Sequence, residues 1–137
     1  MNKKRVFIVD DETAVTRILK LGLERTRLYM VRTEEDSLKA LASARGFQPD
    51  IILLDIMMPG LDGGELAAQM RQDPQLTDIP IIFLTSLISS ADDRNPLGEP
   101  ASLFLPKPID FTYLLSCIEK LTASISTVGS SPGSDSL

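Results

Sequence analysis

Apolar residues in this chain fall into two kinds of run, and the two alternate. Val6-Phe7-Ile8-Val9, Ile51-Ile52-Leu53-Leu54 and the stretch from Pro80 to Leu84 are short and unbroken, and Leu103-Phe104-Leu105 is a shorter run of the same kind. Bounded by turn residues, such runs read as strands buried on both faces. Leu28 to Thr33 alternates weakly and carries Tyr29, Val31 and Thr33, which suits an edge strand. Between these runs the spacing becomes helical. Val15, Ile18, Leu19, Gly22 and Leu23 share one face, with Asp11 or Thr13 as the expected cap. A second helix is predicted over 34–45, with Leu38, Leu41 and Ala42 inward and Gly46 as its stop. A third spans Gly63 to Gln72, with Leu66, Ala67 and Met70 inward. The last is capped by Asp110 and buries Phe111, Leu114, Leu115, Ile118 and Leu121.

Strands and helices thus alternate five times, which predicts an α/β fold: a doubly wound parallel sheet with right-handed crossovers. One stretch resists this scheme. A helix can start near Ser89 or Ser90, but Pro96, Gly98 and Pro100 make the fourth helix short or irregular. From Ser124 the chain turns rich in serine, glycine and proline, so residues 1–123 read as one domain and 124–137 as a disordered tail or linker.

Charge and composition narrow the chemistry. A formal net charge of −5 disfavours direct nucleic-acid binding. The chain has no histidine, which removes imidazole bases and ligands, and its lone Cys117 cannot form a disulfide framework. No stretch approaches the ~20 apolar residues of a membrane span. A cytoplasmic location is expected.

The residues just past the buried strands then stand out. Asp10 and Asp11 come after the first, Asp55 after the third, Thr85 after the fourth and Lys107 after the fifth. Each has a bland reading: a cap, a turn former, a strand end, a solvated charge. In a parallel sheet, however, these ends share one edge, where ligands collect. Two carboxylates about 4 Å apart repel by roughly 4 kcal/mol at an effective dielectric near 20, so three of them call for a cation. Hard oxygen ligands without histidine or paired cysteine favour magnesium, or manganese, over zinc or copper. With an ammonium and a hydroxyl added, these are the parts of a phosphoryl-transfer site built on a carboxylate nucleophile.

The residues Val9-Asp10-Asp11-Glu12, Asp55-Ile56-Met57-Met58-Pro59-Gly60-Leu61-Asp62-Gly63, Leu84-Thr85-Ser86 and Phe104-Leu105-Pro106-Lys107-Pro108 together resemble a response-regulator receiver domain of two-component signalling, over roughly residues 4 to 123. The resemblance implies a flavodoxin-like (βα)5 fold with strand order 2-1-3-4-5. It implies Asp55 as phosphoacceptor, Asp11 as a direct magnesium ligand, Asp10 as one acting mainly through water, and the Met57 backbone carbonyl as a further ligand. Thr85 and Lys107 would hold phosphoryl oxygens, Thr85 and Phe104 would form the switch, and Lys107-Pro108 would be a cis peptide, a form costing only about 0.5–1 kcal/mol before proline.

The partners so implied are a histidine kinase or histidine phosphotransferase as donor, and a downstream protein or a C-terminal output domain outside this chain. Homodimerisation on phosphorylation is also compatible. The chain would not be a turnover enzyme. It would catalyse only its own phosphorylation and dephosphorylation, and the second slowly, because apolar Met57 and Leu87 cannot orient a water. Three rivals compete. A degenerate receiver would serve as a binding scaffold, but all five site residues are present. An aspartyl-phosphate phosphatase resembling the haloacid dehalogenases needs a second acid where Met57 stands. A flavodoxin-like redox module needs a phosphate loop where Asp10-Asp11-Glu12 would repel phosphate.

Overall fold

A computed structural model of the chain describes residues 2–86 and 103–130, with 124–130 described by their backbone alone. The expected fourth helix, the interruptions at Pro96, Gly98 and Pro100, and Leu87 lie outside the described residues. Five parallel strands form one sheet in the order β2-β1-β3-β4-β5. They are β1 (Lys4–Val9), β2 (Tyr29–Glu34), β3 (Ile51–Asp55), β4 (Ile81–Thr85) and β5 (Leu103–Pro106). The helices are α1 (Thr13–Arg25), α2 (Ala40–Phe47), α3 (Gly63–Gln72) and α4 (Phe111–Ser130), with a 3-10 turn at Ser37–Lys39 before α2. The flavodoxin-like order and the edge position of β2 are as the sequence predicts.

Residues of β3 and β4 are buried along their whole length, which is why their sequences run apolar without alternation. Successive side chains point to opposite faces and feed two cores. Phe7, Val9, Ile52, Leu54 and Phe83 pack with α2 and α3 on one side. Val6, Ile8, Leu53, Ile82 and Leu84 pack with α1 and α4 on the other. Each fully buried Leu or Ile contributes roughly 1.5–3 kcal/mol of transfer free energy. Both helical layers are therefore tied to the same strands whose ends carry the polar residues.

Three expectations of detail need correcting. The first concerns α1: neither Asp11 nor Thr13 caps it. Glu12 holds the N-cap position without a side-chain cap bond, and Asp10 Oδ1 instead accepts from the Glu12 N–H at 2.9 Å. The same helix buries Thr16, Leu19 and Leu23 and leaves Ile18 exposed. The second concerns α2, which has a different register. Glu34 finishes β2, Asp36 caps the 3-10 turn, and the buried face is Ala40, Ala44 and Phe47. Leu38 points to solvent. The ring of Phe47, 6.3 Å from that of Phe7, anchors this register. The third is the stop: α2 runs through Gly46 and ends at left-handed Gln48, φ 54°. The backbone of α4 runs to Ser130.

Candidate functional site

Sheet register brings the polar residues together. Val9 pairs with Leu54, Asp55 with Leu84, and Thr85 with Pro106, so these strands finish at one edge. Asp10 and Asp11 come directly after β1 at that edge, and Asp55 and Thr85 are the last residues of their strands. The Lys107 N–H donates to the Thr85 carbonyl at 2.9 Å, which fixes the lysine beside β4 just past β5. The Lys107-Pro108 bond is cis. Local structure around the third strand is equally constrained. Asp62 and Glu65 form a capping box that starts α3. A Cβ on Gly63 would collide with the Asp55 carbonyl oxygen, so a glycine is needed to seat the helix against the turn.

Asp10, Asp55 and Thr85 are buried, while Asp11 is exposed at the rim. One carboxylate oxygen from each of Asp10, Asp11 and Asp55 lies within 4.8 Å of the others. Lys107 Nζ sits 2.9 Å from Asp10 Oδ2 and 3.5 Å from Asp55 Oδ1, and it donates a hydrogen bond to Glu12 Oε1. Among the described residues, Lys107 is the one cation in ion-pair contact with these acids. Its approach to Asp10 Oδ2 is close enough for an ion pair but not aligned as a hydrogen bond. That oxygen is therefore buried without a hydrogen-bond partner.

This balance of charge sets the electrostatics. Burial, then the charge of Asp10, push the Asp55 carboxyl up to about 6, against the opposing pull of Lys107 and of the Met57 N–H, which donates to Asp55 Oδ1 at 3.3 Å. Burial works to lower the Lys107 ammonium. The hydrogen bond to Glu12 and the charges of Asp10 and Asp55 outweigh it and hold the group above the ordinary lysine value. One ammonium does not neutralise the cluster. A buried carboxylate oxygen without a hydrogen bond, facing two further carboxylates, suits a hard divalent cation with oxygen preference.

Two further predicted residues lie close by. The Met57 side chain is exposed next to Asp55, and its backbone N–H faces the Asp55 carboxylate. Phe104 is buried, its ring stacked on Phe83 with centroids 4.8 Å apart and planes at 16°. Two contacts have no counterpart in the sequence reading. Glu12 is the partner of Lys107; its signal is the third acid of a row in which capping explains one. Ser37 Oγ donates to the Pro59 carbonyl at 3.1 Å and accepts from the Leu61 N–H at 3.0 Å, clamping the turn after Asp55. A serine inside an expected helix gives no hint of this.

A cluster of acids beside a lysine, at the carboxyl edge of a parallel sheet ordered 2-1-3-4-5, defines a doubly wound α/β domain with its charged side chains gathered at one end of the sheet. The chain belongs to the response regulator receiver domain family, which it matches over residues 6–119. It is 41% identical over 118 residues to the response regulator PleD of Caulobacter vibrioides, covering 86% of this chain and 26% of that protein. It is 33% identical over 117 residues to the DNA-binding dual master transcriptional regulator RpaA of Synechocystis, covering 85% of this chain and 48% of that protein. The chain therefore spans between a quarter and half of the length of these relatives. The receiver domain of the Francisella response regulator 1452 superposes with a TM-score of 0.77 at 25% identity, covering 90% of this chain and 99% of that structure. Among the described residues, no helix is long and apolar enough to cross a membrane.

Proposed function

We propose that this receiver domain accepts a phosphoryl group on Asp55 in a Mg2+-dependent reaction and passes the signal on by changing conformation. The donor is a phosphohistidine of a histidine kinase or histidine phosphotransferase, on another chain or domain, since this chain has no histidine. An Asp55 carboxylate oxygen bonds to phosphorus as the P–N bond breaks. The leaving imidazole keeps that electron pair and takes up a proton. Asp10, Asp11, Asp55 and the Met57 carbonyl would hold the Mg2+ ion, which supplies charge neutralisation for the phosphoryl oxygens. Lys107 and the Thr85 hydroxyl hold those oxygens, and the movement of Thr85 is coupled to Phe104. Population then shifts toward the state that makes these contacts. The output is a downstream protein or a further domain, as the part-length match to a DNA-binding regulator suggests.

The observation that carries this reading is the meeting of Asp10, Asp11 and Asp55 within 4.8 Å, beside Lys107. The chain acts in the cytoplasm as a signalling domain and not as a turnover enzyme; exposed, apolar Met57 stands where a phosphatase of this chemistry would need an acid. Incubation with a small-molecule phosphodonor and Mg2+, followed by borohydride trapping and peptide mass spectrometry, tests it. Trapped product at position 55 is expected. Trapped product at another aspartate, or none at any, would overturn the assignment.

A further inference from the structure

Every acid around Lys107 except one has a second role. Asp10, Asp11 and Asp55 offer oxygens to a common point and can be neutralised together by a divalent cation. Glu12 is outside that trio, yet it accepts the hydrogen bond from Lys107 Nζ, while Asp10 and Asp55 make ion-pair contacts at 2.9 and 3.5 Å. Its side chain is half exposed, at the mouth of the site, whereas the lysine is mostly buried. Glu12 also sits at the N-cap of α1 with no side-chain bond to the helix. Its carboxylate is thus committed to the lysine and not to capping. When a cation neutralises the trio, Glu12 is the acid left with a full claim on Lys107.

We infer that Glu12 is an intramolecular stand-in for the phosphoryl group: it holds Lys107 at the site while no phosphoryl oxygen is present and must be displaced when one arrives. This rests on the phosphoacceptor reading above. Glu12 is a positioning residue that acts through Lys107. It keeps the long lysine side chain ordered next to Asp55, and it competes with the incoming anion for the same ammonium. Exposed ion pairs are worth little, so the competition is a modest brake.

Fluoroberyllate, which mimics a phosphoryl group on a carboxylate, is the probe, titrated with the full chain in saturating Mg2+. Wild-type binding that is lost in Asp55→Asn establishes the underlying reading; absence of wild-type binding defeats that reading rather than this one. With wild-type binding in hand, Glu12→Gln is expected to bind about threefold to fivefold more tightly. The gain should vanish, to within about twofold, when Glu12→Gln is added to Lys107→Met, because the competitor acts through the ammonium. A gain that persists without the lysine, or no gain at all, overturns the proposal. Where Lys107→Met binds too weakly to titrate, Glu12→Asp decides: it keeps the charge but falls one methylene short. Tightening with aspartate supports displacement of a contact, and wild-type affinity with aspartate overturns it.

Discussion

Asp73, which closes α3, and Asp55, which closes β3, bury the same side chain in one small domain. At Asp73 one oxygen accepts from the Gln75 N–H at 2.8 Å and the other is paired with Arg45. Those two partners, the backbone N–H first, hold its carboxyl below the usual aspartate range. At Asp55 one weak backbone donor and a lysine at 3.5 Å face burial and a second buried aspartate, and the carboxyl moves the other way, to about 6. The first arrangement is complete in itself and joins two helices. The second lacks positive charge, and the shortfall sits at the carboxyl edge of the sheet, where a cation and an anion can enter. On the proposed function, satisfied charge marks the structural aspartate and unsatisfied charge the phosphoacceptor.

The largest separation between the two should appear in phosphoryl labelling. Asp55→Asn is expected to abolish incorporation from a phosphodonor with Mg2+, while Asp73→Asn leaves the rate within about twofold, measured by intact mass. Surviving label in the Asp55 variant would erase the distinction.

Stability should separate them with opposite signs. In the metal-free protein, Asp55→Asn is expected to raise stability by about 1–2 kcal/mol near neutral pH, since it removes a charge that the fold disfavours, whereas Asp73→Asn lowers the unfolding midpoint. The two also differ in pH dependence. The folded-state value of Asp55 is raised, so the folded state binds the extra proton, and its contribution to stability is lost as pH rises from about 4 to about 6. Asp73 is depressed, so its contribution is present above the ordinary carboxylate range and is lost as pH falls below it. Denaturant titrations of each variant across pH 3–8 would show both slopes; a pH profile unchanged in Asp55→Asn would contradict the account.

Phosphate lifetime tests the surroundings of the acceptor. Met57 is exposed beside Asp55 and cannot align water, so purified phosphoprotein should lose phosphate slowly. Met57→Asn or Met57→Glu should shorten the lifetime severalfold, by placing a hydrogen-bonding group there. The smallest expected effect is at Ser37. Removing its clamp on Pro59 and Leu61 with Ser37→Ala should weaken Mg2+ affinity by about twofold, through a looser turn after Asp55, with labelling still at position 55.

Short-range pattern decides which features are legible in the sequence. Unbroken apolar runs mark β1, β3 and β4, and the residues just past them must meet once the sheet is parallel, so Asp10, Asp55, Thr85 and Lys107 are legible as a group. Misread features depend on tertiary choice. Leu38 and Ala42 fit a helical face as well as Ala40 and Ala44 do; only the seat of Phe47 against Phe7 picks between them. The Glu12 contact joins residues 95 positions apart and involves a freely rotating side chain, which spacing alone cannot foresee.

The central claim is that Asp55 is held in an unfavourable charge state that a divalent cation relieves. Carboxyl 13C NMR of the aspartates, titrated with and without Mg2+, reads this directly. Without the ion, one resonance, absent from Asp55→Asn, should titrate near 6; with it, that midpoint should fall well below. An Asp55 carboxyl that titrates in the ordinary range, or that ignores Mg2+, would contradict the account.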